Sequence, residues 1–169
     1  MPVIIRITLN QIKKKKILLI ALIATTFTQQ SFAQDSTKTQ SSPLLTSYYN
    51  LKDALVGSNS TTAAASADEF VKALNDIDKE IIKDESRHAL LSDASAISQT
   101  KDLKVQREKF ATLSANIFAL AKTVKLSAEP VYQQYCPMKK ASWLSNNKAI
   151  KNPYYGSAML TCGSVKETL

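Results

Sequence analysis

The sequence predicts an all-α fold: an antiparallel four-helix bundle with an irregular C-terminal tail packed on it. Three observations carry this expectation. Apolar residues recur at three- and four-residue steps in four separate stretches between Pro43 and Val124. Short turn-forming segments separate those stretches. No alternating strand pattern appears before Val131.

The N-terminus is read first because it sets the compartment. Lys13, Lys14, Lys15 and Lys16 form a positive segment, and an apolar run from Ile17 to Ala24 follows. Ser31-Phe32-Ala33 then places small residues where a signal peptidase inspects them. Residues 1–33 therefore read as a secretory signal peptide, cleaved between Ala33 and Gln34. The apolar run is shorter than the roughly 20 residues that a spanning helix needs, so no stable membrane insertion is expected after cleavage. No cysteine stands near the cleavage site to carry a lipid. The expected location is the periplasm.

Cleavage changes the charge. The chain carries +8, but Arg6 and the four lysines contribute five of these, leaving +3. Basic and acidic residues are mixed along the helical stretches, without a basic patch interleaved with aromatics. Nucleic acid is therefore not an expected partner. Residues 34–42 (QDSTKTQSS) lack apolar side chains and read as a disordered leader. Residues 43–169 read as one domain, a helical bundle whose Cys/Met tail spans 131–169.

The first helix should start at Ser42-Pro43, with Ser as N-cap and Pro in the first turn. Leu44, Leu45, Tyr48, Leu51, Leu55 and Val56 form its stripe, and Gly57 stops it. Ser60 or Thr61 should cap a second helix from Ala63 to about Ile77, with Phe70, Leu74 and Ile77 inward. A third is expected over Lys79–Ser98, with a weaker stripe through Ile81, His88, Leu91, Ser95 and Ile97. Asp102 should cap the fourth, Leu103–Val124, whose seam is Leu103, Phe110, Leu113, Ile117, Leu120 and Val124. Gln106 and Arg107 on that helix should reach carboxylates of a neighbouring helix or the tail backbone.

After Lys125 the rhythm stops, and Pro130, Pro137 and Pro153 break helices. Val131–Cys136 reads as extended. Asn152-Pro153 should open a short helix that ends at Cys162, before Gly163.

This tail holds both cysteines, the only tryptophan, and both methionines other than Met1. Cys136 and Met138 are two apart, on one side of an extended segment. Met159 and Cys162 are three apart, on one face of a helix. If the tail folds back, the two pairs can meet. Thiols and thioethers form the soft ligand set that selects Cu(I). The competing reading is a Cys136–Cys162 disulfide, closing a loop of about 27 residues and worth about 3 kcal/mol, with both methionines filling gaps. Spacing alone favours the disulfide in an exported chain. His88, the only histidine, reads as a core or surface residue before it reads as a ligand. Trp143 and the tail tyrosines read as cover for the bundle. No paired carboxylates in a cleft segment and no glycine-rich phosphate loop occur, so an enzyme is not expected.

Tyr135-Cys136-Pro137-Met138, Trp143-Leu144-Ser145, Ile150-Lys151-Asn152-Pro153-Tyr154-Tyr155-Gly156, Met159 and Cys162-Gly163 resemble the tail of a bacterial family of small exported domains of unknown function. Gln106-Arg107, Phe110 and Leu113-Ser114 fit its long helix. Members occur alone or fused to membrane-fusion subunits of copper and heavy-metal efflux systems. The resemblance implies a helical bundle with a packed tail and heavy-metal binding, copper foremost, through Cys136, Met138, Met159 and Cys162. It also places a histidine on the third helix, where His88 falls. Its motif departs in one respect: Lys139-Lys140 follow Cys-Pro-Met where related metal-binding motifs often continue with histidine. The implied role is an exported Cu(I)-binding protein in copper or heavy-metal handling, partnered by a metal-efflux membrane-fusion subunit. The alternative is a metal-free periplasmic interaction module stapled by the disulfide.

Overall fold

The computed structural model describes residues 42–169. The expected signal peptide, 1–33, and residues 34–41 of the leader lie outside the described residues. Four helices follow one another: α1 (Pro43–Val56), α2 (Ser60–Asn75), α3 (Asp84–Ser98) and α4 (Leu103–Ala121). The remainder is not irregular. Three strands, β1 (Tyr132–Cys136), β2 (Ala141–Ser145) and β3 (Ser164–Thr168), form an antiparallel sheet in the order β2-β1-β3. The fold is therefore mixed, and the all-α expectation is corrected. The strands escape the sequence pattern because Tyr-Gln-Gln-Tyr-Cys and Ser-Val-Lys-Glu-Thr show no apolar–polar alternation. Pairing with distant residues holds them instead.

Three of the four helices start where a side chain satisfies a free N–H group, and α3 starts without such a cap. Ser42 Oγ accepts from Leu45 N at 3.3 Å and Asp102 Oδ1 from Lys104 N at 2.8 Å. The cap of α2 is Asn59, whose Oδ1 accepts from Thr62 N at 3.0 Å, rather than Ser60 or Thr61. Gly57 ends α1 with ordinary helical φ, and the left-handed residue there is Ser58, at φ 54. The third helix starts at Asp84, later than expected. Arg87 explains the gap: its guanidinium donates to the carbonyls of Leu74, Ile77 and Asp78, so residues at the end of α2 and just beyond are capped by a side chain from α3.

Consecutive helices pack on one another, and α4 also packs against β2. Leu44, Leu45, Leu51, Leu55, Phe70, Leu74, Ile97, Phe110, Leu113 and Ile117 are buried, as their spacing predicts. The stripe expected for the third helix is corrected: Leu90 is buried there, whereas Leu91 is half-buried and Ile81 and His88 are exposed. Aromatic rings carry the core across to the sheet. Tyr48 stacks on Phe110 with centroids 5.2 Å apart, and Tyr154 lies between Phe110 at 6.0 Å and Trp143 at 5.9 Å. One hydroxyl links three elements. Tyr48 Oη accepts from the Leu144 N–H of β2 at 3.1 Å and pairs with Ser114 Oγ of α4 at 2.7 Å. Burial raises the Tyr48 phenol well above its ordinary pKa, so it stays neutral.

Tyr48→Phe leaves the Leu144 N–H buried without its side-chain partner and takes one of two partners from the Ser114 hydroxyl, which Tyr154 also engages. The expected loss is about 1–3 kcal/mol, read as a lower urea midpoint at unchanged slope. An unchanged midpoint would show that the hydroxyl does not tie the sheet to the helices.

Candidate functional site: a facing pair of thiols

The site forms where the end of β1 meets the segment before β3. Cys136 is the last residue of β1 and pairs in register with Ala141 of β2. Residues 137–140 turn between these strands, with Lys140 at φ 55. The extended geometry expected for Cys136–Met138 is thus corrected: the strand ends at the cysteine. Met138 points outward, 64% exposed, and the turn instead aims main-chain N–H groups at the Cys136 sulfur.

The second sulfur arrives through a folded segment. The short helix expected from Pro153 to Cys162 is a turn followed by a 3-10 helix, Gly156–Met159. Asn152 organises it. Its Oδ1 accepts from Tyr154 N at 2.9 Å, and its Nδ2 donates to Cys162 O at 2.8 Å. Its main-chain N–H donates to Leu160 O at 2.8 Å, and its carbonyl accepts from Gly156 N at 3.0 Å. Cys162 N donates to Met159 O at 3.1 Å, and the Met159 side chain is half-buried.

Arg107 anchors this segment to the helices. Its Nε donates to Pro153 O at 2.9 Å, and its Nη2 donates to Leu55 O and to Ser58 Oγ, each at 3.0 Å. It reaches tail backbone, as one of the two expectations had it, and no carboxylate. Gly156 makes the approach possible. It sits at φ +56, where a Cβ would stand 2.8 Å from Ser58 Oγ and 2.9 Å from Arg107 Nη2. Gly163, at φ +152, has the same role beside the site, where a Cβ would stand 2.9 Å from Trp143 Cη2. Gln106 spends its amide on the carbonyls of Ser60, Ile97 and Thr100, which fixes the turn into α4.

The outcome is two free thiols with Cys136 Sγ and Cys162 Sγ 3.5 Å apart. Cys136 is fully buried and Cys162 partly exposed. Burial by itself pushes the Cys136 thiol up. The Lys139 N–H, the Cys162 thiol, the Asn152 amide and the Met138 N–H outweigh that and leave its pKa below the ordinary thiol range. Cys162 moves the other way. Its proton is held by the Cys136 sulfur, and losing it would put two negative sulfurs together. The pair is thus built to hold one thiolate and one thiol.

Of the five expected ligands, the fold brings Cys136 and Cys162 together and sets Met159 next to them in the chain. Met138 faces solvent, and His88 stands exposed on α3, whose packing partners are α2 and α4. Sequence reasoning missed Asn152 as the clamp and the Lys139 and Met138 N–H groups as sulfur donors. The Cys-Pro-Met-Lys turn between two strands was the signal for the latter.

Titration of thiolate absorbance should show two midpoints, Cys136 below and Cys162 above the usual thiol value of about 8.5. Cys162→Ala should raise the Cys136 midpoint by removing a donor. The Cys136 contribution to stability is present above the ordinary thiol pKa and lost as pH falls through its folded value. The Cys162 contribution is present below the ordinary pKa and lost as pH rises through its folded value. Two coincident, ordinary midpoints would contradict the arrangement.

Comparison with known proteins bears on the helices and not on the thiols. A family model described as "Protein of unknown function (DUF3347)" matches residues 44–129. That stretch takes in α1 to α4 and stops before β1, so Cys136 and Cys162 lie beyond it. No curated protein and no solved structure matches the chain. The match covers just over half of the sequence, and the chain belongs to the DUF3347 family of proteins of unknown function.

Proposed function

We propose that this chain is an exported protein that binds a soft metal ion, Cu(I), at the Cys136–Cys162 pair, in copper or heavy-metal handling. The supporting observation is the pair itself: two free sulfurs 3.5 Å apart. That spacing lets both touch one ion at metal–sulfur lengths of about 2.3 Å. The donors have the right chemistry. The ligand that binds is the thiolate, and Cys136 is held toward that form by N–H groups directed at its sulfur. Thiolate and thioether ligands favour Cu(I) over harder ions. Among the described residues no group of three or more His, Cys, Asp or Glu side chains gathers, so the pair acts with Met159 or with a ligand from outside. Few ligands suit an ion that is passed on. The resemblance of the tail to domains fused to efflux membrane-fusion subunits makes such a subunit the proposed recipient, and the N-terminal segment makes the periplasm the proposed place. The protein's role is binding and transfer, with no catalysis. Among the described residues no helix is long and apolar enough to cross a membrane.

The same closeness favours a second reading. A modest rotation would bring the sulfurs to bonding distance, and the oxidised pair would staple the tail as a metal-free interaction module. A thiol count on protein taken directly from the exported fraction separates the two: free thiols support the metal reading and their absence supports the staple.

The direct test is titration of the reduced protein with Cu(I) against a chromophoric chelator. One ion per chain is expected. Cys136→Ser with Cys162→Ser should abolish competition, while Met138→Ala should change affinity less than about 3-fold because its side chain faces solvent. Equal binding by the double serine variant would end this reading.

A further inference from the structure

The charge of the described protein is unevenly placed. Residues 42–131 carry eleven basic and twelve acidic side chains, a net −1, whereas residues 132–169 carry five lysines and one glutamate, a net +4. The single acid, Glu167, is engaged by Lys122 of the α4 C-terminus at 3.0 Å. Lys139, Lys140, Lys148, Lys151 and Lys166 are left without an ion pair among the described residues. Lys166 Nζ stands 5.5 Å from the centroid of Tyr135, the neighbour of Cys136, whereas Lys148 Nζ lies 5.6 Å from that of Tyr132, which strand alternation puts on the other face of β1. Lys139 also lines a cleft of about 240 Å³ with Lys104, Arg107 and one carboxylate, Glu108.

Exposed apolar side chains occur in the same stretch of sequence. Met138 at 64%, Leu160 at 39% and Val165 at 38% are three of the five large apolar residues left exposed among the described residues. Each stands within three positions of a site cysteine in sequence. Exposed apolar side chains interspersed with charged ones are what a protein interface offers. Met is the side chain best able to adapt to a partner.

We infer that the lysine-rimmed face around the thiol pair is a docking surface for an acidic protein segment, which reaches Cys162 from solvent. The inference rests on the metal reading for its purpose, since a soft ion held by two sulfurs leaves by being approached by a third. It does not rest on that reading for its existence. Unpaired lysines steer an acidic partner and set its orientation, and exposed Met138 and Leu160 supply contact area once it arrives. The partner's charge, not its fold, is what this face selects.

The test uses the reduced protein and a labelled 20-residue acidic peptide carrying two methionines, with a charge-inverted lysine peptide as control. Wild type should bind the acidic peptide at least about 10-fold more tightly than the control at low salt, and the preference should collapse in high salt. The acidic peptide should slow alkylation of Cys162 by a neutral reagent several-fold. Lys140→Glu with Lys151→Glu and Lys166→Glu should weaken binding about 10-fold or more, and the corresponding glutamine variant, kinder to folding, should weaken it less. Equal binding of both peptides, binding unaffected by the variants, or unchanged Cys162 alkylation would overturn the inference. So would binding to phosphatidylglycerol vesicles with no preference between peptides, which would make the face a membrane contact. Cu(I) titration of the same sample keeps the two ideas apart. Copper binding without peptide preference overturns only the docking surface, and peptide preference without copper binding overturns only the metal reading.

Discussion

A single buried amide fixes where the second sulfur stands. Asn152 uses both ends of its side chain and both groups of its main chain, and all four close the segment between Lys151 and Gly163 on itself. Such a segment has no helix of useful length and no strand to shape it. Without those bonds, Cys162 would hang on a loop of broken turns and would meet Cys136 only by chance. With them, its carbonyl is tied at 2.8 Å and its sulfur faces that of β1 at 3.5 Å. The amide costs nothing in unsatisfied polarity, because its donors and its acceptor are all used.

The helices matter to the site through two polar anchors and one apolar chain. Arg107 ties the start of the Asn152 segment to α1 and α4. Tyr48 ties β2 to the same two helices. Between them the stacked and tilted rings of Tyr48, Phe110, Tyr154 and Trp143 fill the space from core to sheet. A thiolate needs a rigid set of N–H donors, since donors that must reorganise give back in entropy what they contribute in hydrogen bonding. The bundle supplies the rigidity and the turn after Cys136 supplies the donors. The pair can therefore carry one negative charge at a pH where an ordinary thiol would be mostly protonated.

What could be read from the sequence follows from how local each signal is. The four helices were legible because caps and stripes lie within a few residues of one another, as Asp102 and the Phe110–Leu113–Ile117–Leu120 seam show. Their ends were less so. Arg87 closes α2 from another helix, and the left-handed residue after α1 is Ser58 although a glycine stands beside it. The sheet was not legible, because its strands carry Gln, Tyr, Ser and Lys where alternation was sought and its order places β1 between strands from before and after a long loop. Both cysteines were found by rarity alone. Met138 departs from its spacing: two residues bring Cys136 and Met138 to one side only if the strand continues, and β1 ends at Cys136, before Pro137.

The proposed copper site requires that both sulfurs, and not nitrogen or oxygen, take the ion. X-ray absorption at the copper edge of the reduced, Cu(I)-loaded protein reads that shell directly. A low-coordinate shell of sulfur alone is expected, unchanged in His88→Ala and lost in Cys136→Ser with Cys162→Ser. A shell containing histidine nitrogen, or one that survives the loss of both cysteines, would contradict it.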